Sequence, residues 1–215
     1  CTMTIYDISK KILAVLMLTA FTVFFFQGVS QAAQSEARME LERTINQVLG
    51  ELQRPELKNP ATRANVLSRV EGIIRQLFSF DELSMRTVGP SWKNFSPAQK
   101  QQFTGAFETL LRETYLEKLD GYNGESVSYT GETGSRKGDK VEIQTSVNIQ
   151  GKPVPVSYRM LKKGRWVVYD VIIEGVSMVQ NYRSQFQSIL AQGDVERLIE
   201  QVRAKAQEAR AHNHK

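Results

Sequence analysis

The chain is poor in the residues that most hydrolytic and metal-dependent sites require. Its 215 residues include one cysteine, Cys1, and two histidines, His212 and His214. Because both histidines stand in the segment HNHK, no histidine inside a fold is available to activate a serine or cysteine nucleophile. The same scarcity excludes a site of two histidines and one carboxylate. The sequence therefore predicts no catalytic residue of these kinds and no metal centre.

Glycine-rich loops that could cradle phosphates are also missing. Such loops need closely spaced glycines between a strand and a helix. Gly131, Gly134 and Gly138 are instead scattered between predicted strands, where they serve turns. We therefore expect no nucleotide-dependent enzyme and no cofactor.

The beginning of the chain has the layout of a secretory signal peptide. Lys10 and Lys11 precede an apolar run from Ile12 to Phe26, and the small residues Ser30 and Ala32 follow it. A basic segment, an apolar segment of about 7–15 residues and a small-x-small site define such signals. The apolar run is also shorter than the ~20 residues that span a bilayer. We therefore expect a cleaved signal and not a transmembrane anchor.

This interpretation sets the domain organisation. Residues 1–32 are the predicted signal peptide, and residues 33–215 form a single exported domain. Cleavage removes Cys1, so no disulfide framework is possible. Export argues against nucleic acid as a partner. Removing Lys10, Lys11 and Asp7 from the formal net charge of +5 leaves +4 for the exported domain. This charge would suit weak attraction to anionic lipid surfaces, although a solvated surface with no partner fits it equally well.

Helical patterning dominates the chain on either side of a central β segment. Apolar residues recur at helical spacing, and proline or a capping residue marks several starts, as in Ser96-Pro97-Ala98-Gln99. About six or seven helices are expected in all. The main predicted helices cover 35–53, 59–77, 81–87, 97–119, 176–192 and 195–211.

The central segment changes to a period of two. Val141, Ile143, Thr145, Val147 and Ile149 fall on one face and polar residues on the other, the pattern of an antiparallel sheet with one solvated face. Turn signals divide the segment into four strands joined as a meander. The predicted fold class is therefore α+β, with a twisted four-stranded antiparallel sheet wrapped by helices.

Proline restricts the third of these strands. Pro153 and Pro155 lie two residues apart, so their missing N–H groups fall on the same side of the strand. The start of that strand can therefore pair fully with only one neighbour.

One carboxylate, Asp170, interrupts the otherwise apolar fourth strand. It could be a general base tuned by its surroundings, as in ketosteroid isomerase. It could equally be a structural pin that accepts backbone N–H groups or pairs with an arginine such as Arg183, because a buried charge must be compensated. No second acid or base stands near it in the sequence, which favours the structural role.

The apolar faces raise a separate possibility. The long helix would place one face against the dry side of the sheet, and this space could be ordinary core or an enclosed apolar cavity for a ligand. The residues alone leave both interpretations open. The candidate lining residues are Phe103, Phe107, Leu111, Tyr115, Ile143, Val147, Ile149, Val156, Tyr158, Val171 and Ile173.

Two stretches carry a family resemblance. RWVVYDVIIEGVSMVQNYRSQF and the upstream FSFDELSMRTVGPSWKNFSPAQKQQFTGAFETLLRETYLEKL closely resemble the MlaC family, also called toluene-tolerance auxiliary proteins. The most specific part is Tyr169-Asp170-Val171 followed by Gly175-Val176-Ser177 and Asn181-Tyr182-Arg183. The similarity extends over essentially all of the predicted mature chain.

The resemblance implies a periplasmic phospholipid carrier. Such a protein shuttles diacyl lipid between an inner-membrane ABC transporter complex with an MCE-domain ring and an outer-membrane lipoprotein–porin complex, which maintains outer-membrane lipid asymmetry. It also implies an NTF2-like shape that holds acyl chains between sheet and helices, a monomer, no catalysis, and a structural role for Asp170 and Arg183. Low headgroup selectivity is expected, because the chains supply most of the binding energy. The alternative is an NTF2-like enzyme or an exported binder of small hydrophobic molecules that uses Asp170.

The signal peptide is directly testable. When the full chain is expressed in a bacterium with an outer membrane, we expect the mature protein to begin near Ala33 and to fractionate with the periplasmic contents. N-terminal sequencing of the purified protein measures this. Retention of Ile12 to Phe26 in a membrane fraction would contradict the prediction.

Overall fold

Six α-helices and one antiparallel β-sheet make up the part of the chain that the structure describes. The structure is a computed structural model, and it describes residues 35–116, 119, 122–192 and 194–213. These residues belong to one unit, Ser35–Lys215. The predicted signal peptide over 1–32 and its cleavage site near Ala33 lie outside the described residues.

Six α-helices are present in the described ranges, and most of them begin at a capping side chain. Ser35 Oγ accepts a hydrogen bond from Arg38 N at the first helix, and Ser96 and Gln99 form the predicted capping box at the fourth. The helices are α1 (Glu36–Leu52), α2 (Arg63–Leu77), α3 (Phe80–Val88), α4 (Pro97–Leu111), α5 (Met178–Leu190) and α6 (Val195–Asn213).

The start of α2 and the end of α4 differ most from the sequence-based prediction. The predicted first turn of α2 is an irregular turn, in which the Asn59 carbonyl accepts hydrogen bonds from Thr62 N and Arg63 N, so the regular helix begins at Arg63. The α-helical part of α4 ends at Leu111 and continues as a π-helical turn over Arg112–Leu116. Short 3₁₀ segments over Pro55–Lys58 and Gly89–Asn94 connect other helices.

The strands form an open antiparallel sheet in the order β1-β2-β3-β4-β5. Its first four strands confirm the predicted α+β meander. The fifth is a two-residue strand that the sequence pattern had placed in a helix. The strands are β1 (Ser126–Gly134), β2 (Lys140–Ile149), β3 (Lys152–Lys163), β4 (Arg165–Ile173) and β5 (Val176–Ser177).

The fifth strand exists because the chain reverses in two residues. Glu174 and Gly175 both have positive φ, 51° and 82°, the signature of a type I′ hairpin turn. The turn brings Val176 opposite Ile173 and Ser177 opposite Ile172. The chain therefore leaves the sheet through a hairpin and enters α5 directly.

Pairing along β3 confirms the expectation from its prolines. Pro153 and Pro155 lie opposite Asn148 and Ser146 of β2. On the other side, pairing with β4 begins only at Val156, opposite Ile173. The start of β3 therefore has a single full neighbour.

A β-bulge in β4 decides which face each of its side chains takes. Arg159 pairs with Asp170 and Met160 with Val168, so Tyr169 is an extra residue on β4. Val168 and Val171 consequently share the apolar face of the sheet. Asp170 takes the opposite face, away from that core.

Three apolar clusters stabilise the unit, and they correct one prediction. Phe103 and Phe107 of α4 were expected to face the dry side of the sheet, but they lie in a cluster formed by α3 to α6. There the Phe103 and Phe186 ring centroids are 5.9 Å apart, and those of Phe107 and Tyr182 are 5.1 Å apart. Residues of α1 and the end of α2 cover the sheet instead. The third cluster joins α1 to α2 and includes Val66 and Val70.

Candidate functional site

The first candidate site is an apolar cavity of about 420 Å³, which we call the large chamber. It lies between α1, the end of α2 and the last residues of β2. The exposure of side chains along the dry face of β2 explains this cavity. Ile143 is 0% exposed, Val147 is half-buried, and Ile149 is 43% exposed. The alternating pattern thus continues past the part of the strand that α1 covers, and the remainder lines the chamber.

A second apolar cavity of about 220 Å³, the small chamber, lies between the end of α2, the start of α3 and the end of α4. Leu111 and Tyr115 contribute from α4 and its π-helical turn, a type of irregularity found often at functional sites. The two chambers share the lining residues Ile74, Phe78 and Leu119. They are therefore neighbouring compartments on either side of a common apolar wall.

The structure brings only part of the predicted lining together. Leu111 and Tyr115 line the small chamber, while Val147, Ile149 and Tyr158 line the large one. The remaining candidates lie elsewhere. Ile143, Val156 and Val171 are buried in the sheet core, Phe103 and Phe107 in the helical core, and Ile173 is partly exposed at the end of β4.

Several lining residues were not predicted. Ile74 and Phe78 come from the end of α2, and Leu41, Ile45 and Val48 come from α1. Their helical spacing identified an apolar face in the sequence, but spacing does not say which face of the sheet a helix will cover. A contact between α1 and β2 joins segments about 100 residues apart and has no local signal.

Two polar side chains that line the large chamber are uncharged. Burial raises the pKa of Tyr158 to about 12, so its phenol stays neutral in any ordinary buffer. Thr44, a polar lining residue of the large chamber, donates its hydroxyl to the Glu40 carbonyl at 2.9 Å. These two uncharged side chains are compatible with contact to hydrocarbon.

The carboxylate of Asp170 lies outside both chambers and is 3% exposed. Its Oδ2 accepts hydrogen bonds from Ser177 Oγ at 2.7 Å and from Arg159 Nη1 at 3.3 Å. Its Oδ1 accepts one from Val179 N at 3.0 Å, in the first turn of α5. Helix N-termini favour negative charge. This geometry fits a structural pin and gives a general base no access to the candidate site.

Arg183 is not the partner of Asp170, which corrects the suggested pairing. Its guanidinium donates to the Arg86 carbonyl, with Nε at 2.8 Å. It also lies against Gly89, whose φ is +70°, and a Cβ there would be 3.4 Å from Arg183 Nε. Arg183 therefore fixes the end of α3, while Arg159 pairs with Asp170.

Within the described ranges, we find no group of three or more histidine, cysteine, aspartate or glutamate side chains that could hold a metal ion. None of the helices in those ranges combines the length and apolar character needed to cross a membrane.

The family model described as MlaC protein matches residues 42–204. The chain belongs to the MlaC family. The match confirms the resemblance that the Asp170 region suggested, and it extends over most of the sequence.

Two relatives of this MlaC-family chain are informative. The intermembrane phospholipid transport system binding protein MlaC of Haemophilus influenzae is 22% identical over 197 residues, which covers 88% of this chain and 89% of that protein. The phospholipid-binding protein from Ralstonia solanacearum, solved in complex with a phospholipid, superposes with a TM-score of 0.72. It is 24% identical, with 81% of this chain and 99% of that chain covered, so the two share the fold.

The signature residues of the MlaC resemblance now have physical roles. Tyr169 is the bulge residue, Asp170 accepts three hydrogen bonds, and Gly175 has the positive φ of the hairpin turn. Ser177 donates to Asp170 and also caps α5 by accepting from Gln180 N at 3.1 Å. The signature thus encodes the corner between sheet and helix.

We expect Asp170→Asn to lower the free energy of unfolding by about 1–3 kcal/mol, because it removes the charge that three donors share. Urea unfolding measures this. Asp139→Asn is the matched control: Asp139 is exposed in the β1–β2 turn and accepts a hydrogen bond from Ser135. It should change stability by no more than about 0.5 kcal/mol. An Asp170→Asn variant as stable as the wild type would rule out the structural role.

Proposed function

We propose that the protein is a periplasmic phospholipid carrier. In this proposal it takes diacyl lipid between an inner-membrane ABC transporter complex with an MCE-domain ring and an outer-membrane lipoprotein–porin complex, and so maintains outer-membrane lipid asymmetry. The observation that carries it is the pair of neighbouring apolar chambers in an MlaC-family fold. The names of the Haemophilus and Ralstonia relatives, which describe phospholipid transport and binding, support it.

The proposal assigns the rest of the chain as well. Residues 1–32 direct export, and the domain over 33–215 acts as a monomer. The acyl chains contact Leu111, Tyr115, Val147, Ile149 and Tyr158, together with the shared wall of the chambers. The predicted lining residues in the two apolar cores position these surfaces without contacting lipid.

The free energy of transferring hydrocarbon to water favours a protein that buries the acyl chains. Exposing hydrocarbon to water costs roughly 0.8 kcal/mol per CH₂, so a sixteen-carbon chain represents about 12 kcal/mol. A carrier must therefore bury the chains, whereas the headgroup can remain in water. Loading from a bilayer exchanges one apolar environment for another and requires no bond to be broken. The protein accordingly needs no catalytic residue.

Native mass spectrometry of the protein purified gently from its own periplasm tests the proposal. We expect a diacyl phospholipid adduct with mixed headgroups, because the chains supply most of the binding energy. A spectrum that shows only the bare polypeptide mass would contradict the carrier function.

Val147→Asp should release the lipid and leave the fold largely intact. The substitution places an unpaired charge among the acyl chains, but an emptied chamber can admit water to solvate it. Lipid content by mass spectrometry and helical content by circular dichroism measure the two effects. Loss of the fold together with the lipid would identify the region as close-packed core.

Ile143→Asp provides the matched control on the same face of β2. Ile143 is fully buried in the sheet core and lines neither chamber. Its substitution should unfold the protein or destabilise it by about 4 kcal/mol or more. If both aspartate variants are equally destabilised, the large chamber does not differ from the core and the proposal loses its main support.

A further inference from the structure

Four charged side chains surround the small chamber. They are Glu71 and Arg75 of α2, Glu108 of α4, and Arg112 of the π-helical turn, and we call them the charged rim. Among the described residues that line the two chambers, Arg75 and Arg112 are the only cations. The large chamber has Glu125 and Gln150 on its polar side. A phosphate group would therefore find positive charge only at the small chamber.

The charged rim joins two parts of the fold whose apolar clusters are separate. Arg75 Nε lies 2.5 Å from Glu108 Oε1 and 3.7 Å from Glu71 Oε1. Arg112 Nη1 lies 3.8 Å from Glu71 Oε2. The inner face of α2 packs on α1, whereas α4 belongs to the helical cluster. Ion pairs thus span the small chamber from one wall to the other.

These ion pairs are suited to partner exchange. The side chains of Arg75 and Arg112 are 56% and 36% exposed, and those of their partners Glu108 and Glu71 are 20% and 27% exposed. Ion pairs near the surface contribute only modestly to stability, because water competes for the exposed partner, here the arginine. A ligand charge can therefore replace a protein partner here at small cost.

The balance of charge in the rim selects the ligand. We propose that the charged rim is the headgroup site and that it favours a zwitterionic phospholipid with a primary ammonium group. This proposal rests on the proposed carrier function. The headgroup phosphate takes the place of Glu108 beside Arg75, and its ammonium group pairs with the released Glu108. Every charge keeps a partner in this exchange. An anionic headgroup would leave a carboxylate unpaired next to the phosphate.

The size of the preference follows from the exposure of the rim. A partly exposed charge pair supports a preference of about two- to five-fold, which agrees with low headgroup selectivity overall. The preference should vanish near 1 M salt, where the Debye length is about 3 Å. The amount of bound lipid should not fall, because the acyl chains do not respond to screening.

Competition between two lipids tests the site. The mature protein is loaded from vesicles that contain equal amounts of phosphatidylethanolamine and phosphatidylglycerol with identical acyl chains, and the bound lipids are quantified by mass spectrometry. We expect about two- to five-fold enrichment of phosphatidylethanolamine in the wild type. Glu108→Gln should shift the bound ratio toward phosphatidylglycerol, and Arg75→Gln should shift it the other way. Total lipid per protein should stay constant.

Glu51→Gln and Arg69→Gln are the matched controls. Arg69 Nε lies 2.7 Å from Glu51 Oε2, so this pair also joins two helices, but neither residue lines a chamber. The controls make the same changes in net charge and should leave the bound ratio unchanged.

The outcomes separate the two proposals. A wild-type ratio equal to that of the vesicles, with no shift in the rim variants, overturns the headgroup site and leaves the carrier function standing. Controls that shift the ratio as much as the rim variants also overturn it, since net charge would then decide. A protein that takes up neither lipid overturns both the carrier function and the headgroup site.

Discussion

The hydrogen bonds to the Asp170 carboxylate are the constraint on which the relative placement of sheet and helices depends. The donors come from β3, β5 and the first turn of α5. Loss of these hydrogen bonds would leave a buried charge uncompensated, which costs several kcal/mol of stability. The three elements must therefore meet at one point. From that point α5 carries Tyr182 and Phe186 into the helical cluster. One side chain thus sets the position of the helical layer against the sheet.

Local chemistry made part of this arrangement predictable. The alternation in β2, the prolines of β3 and the Ser96 capping box each act through neighbours in the sequence, and each was predicted correctly. The bulge at Tyr169 was not, because β4 is apolar at both parities and an extra residue leaves no mark on the pattern. The pairing of Arg159 with Asp170 depends on this bulge. Because the bulge was not predicted, the sequence did not identify Arg159 as the partner of Asp170.

For the candidate site, the sequence predicted which helices and strands have apolar faces but not which of these faces pack together. Both α1 and α4 carry apolar stripes, so either could have covered the dry face of β2. The choice depends on how the whole chain packs, because α4 finds its aromatic partners on α5, which the sequence places after the sheet. The part of the dry face that α1 covers ends before Ile149. The uncovered end of that face therefore lines the large chamber.

The small chamber lies between two apolar clusters that are separate from each other. Partly exposed ion pairs span the chamber from one cluster to the other. The chamber walls include Leu111 and Tyr115 from the helical cluster and Ile74 and Leu119 from the α1–α2 cluster. An apolar ligand that binds only the folded state would in turn stabilise it by mass action. On the proposed function, lipid therefore acts as a removable part of the core, and the rigid parts of the fold are those that must remain intact when it leaves.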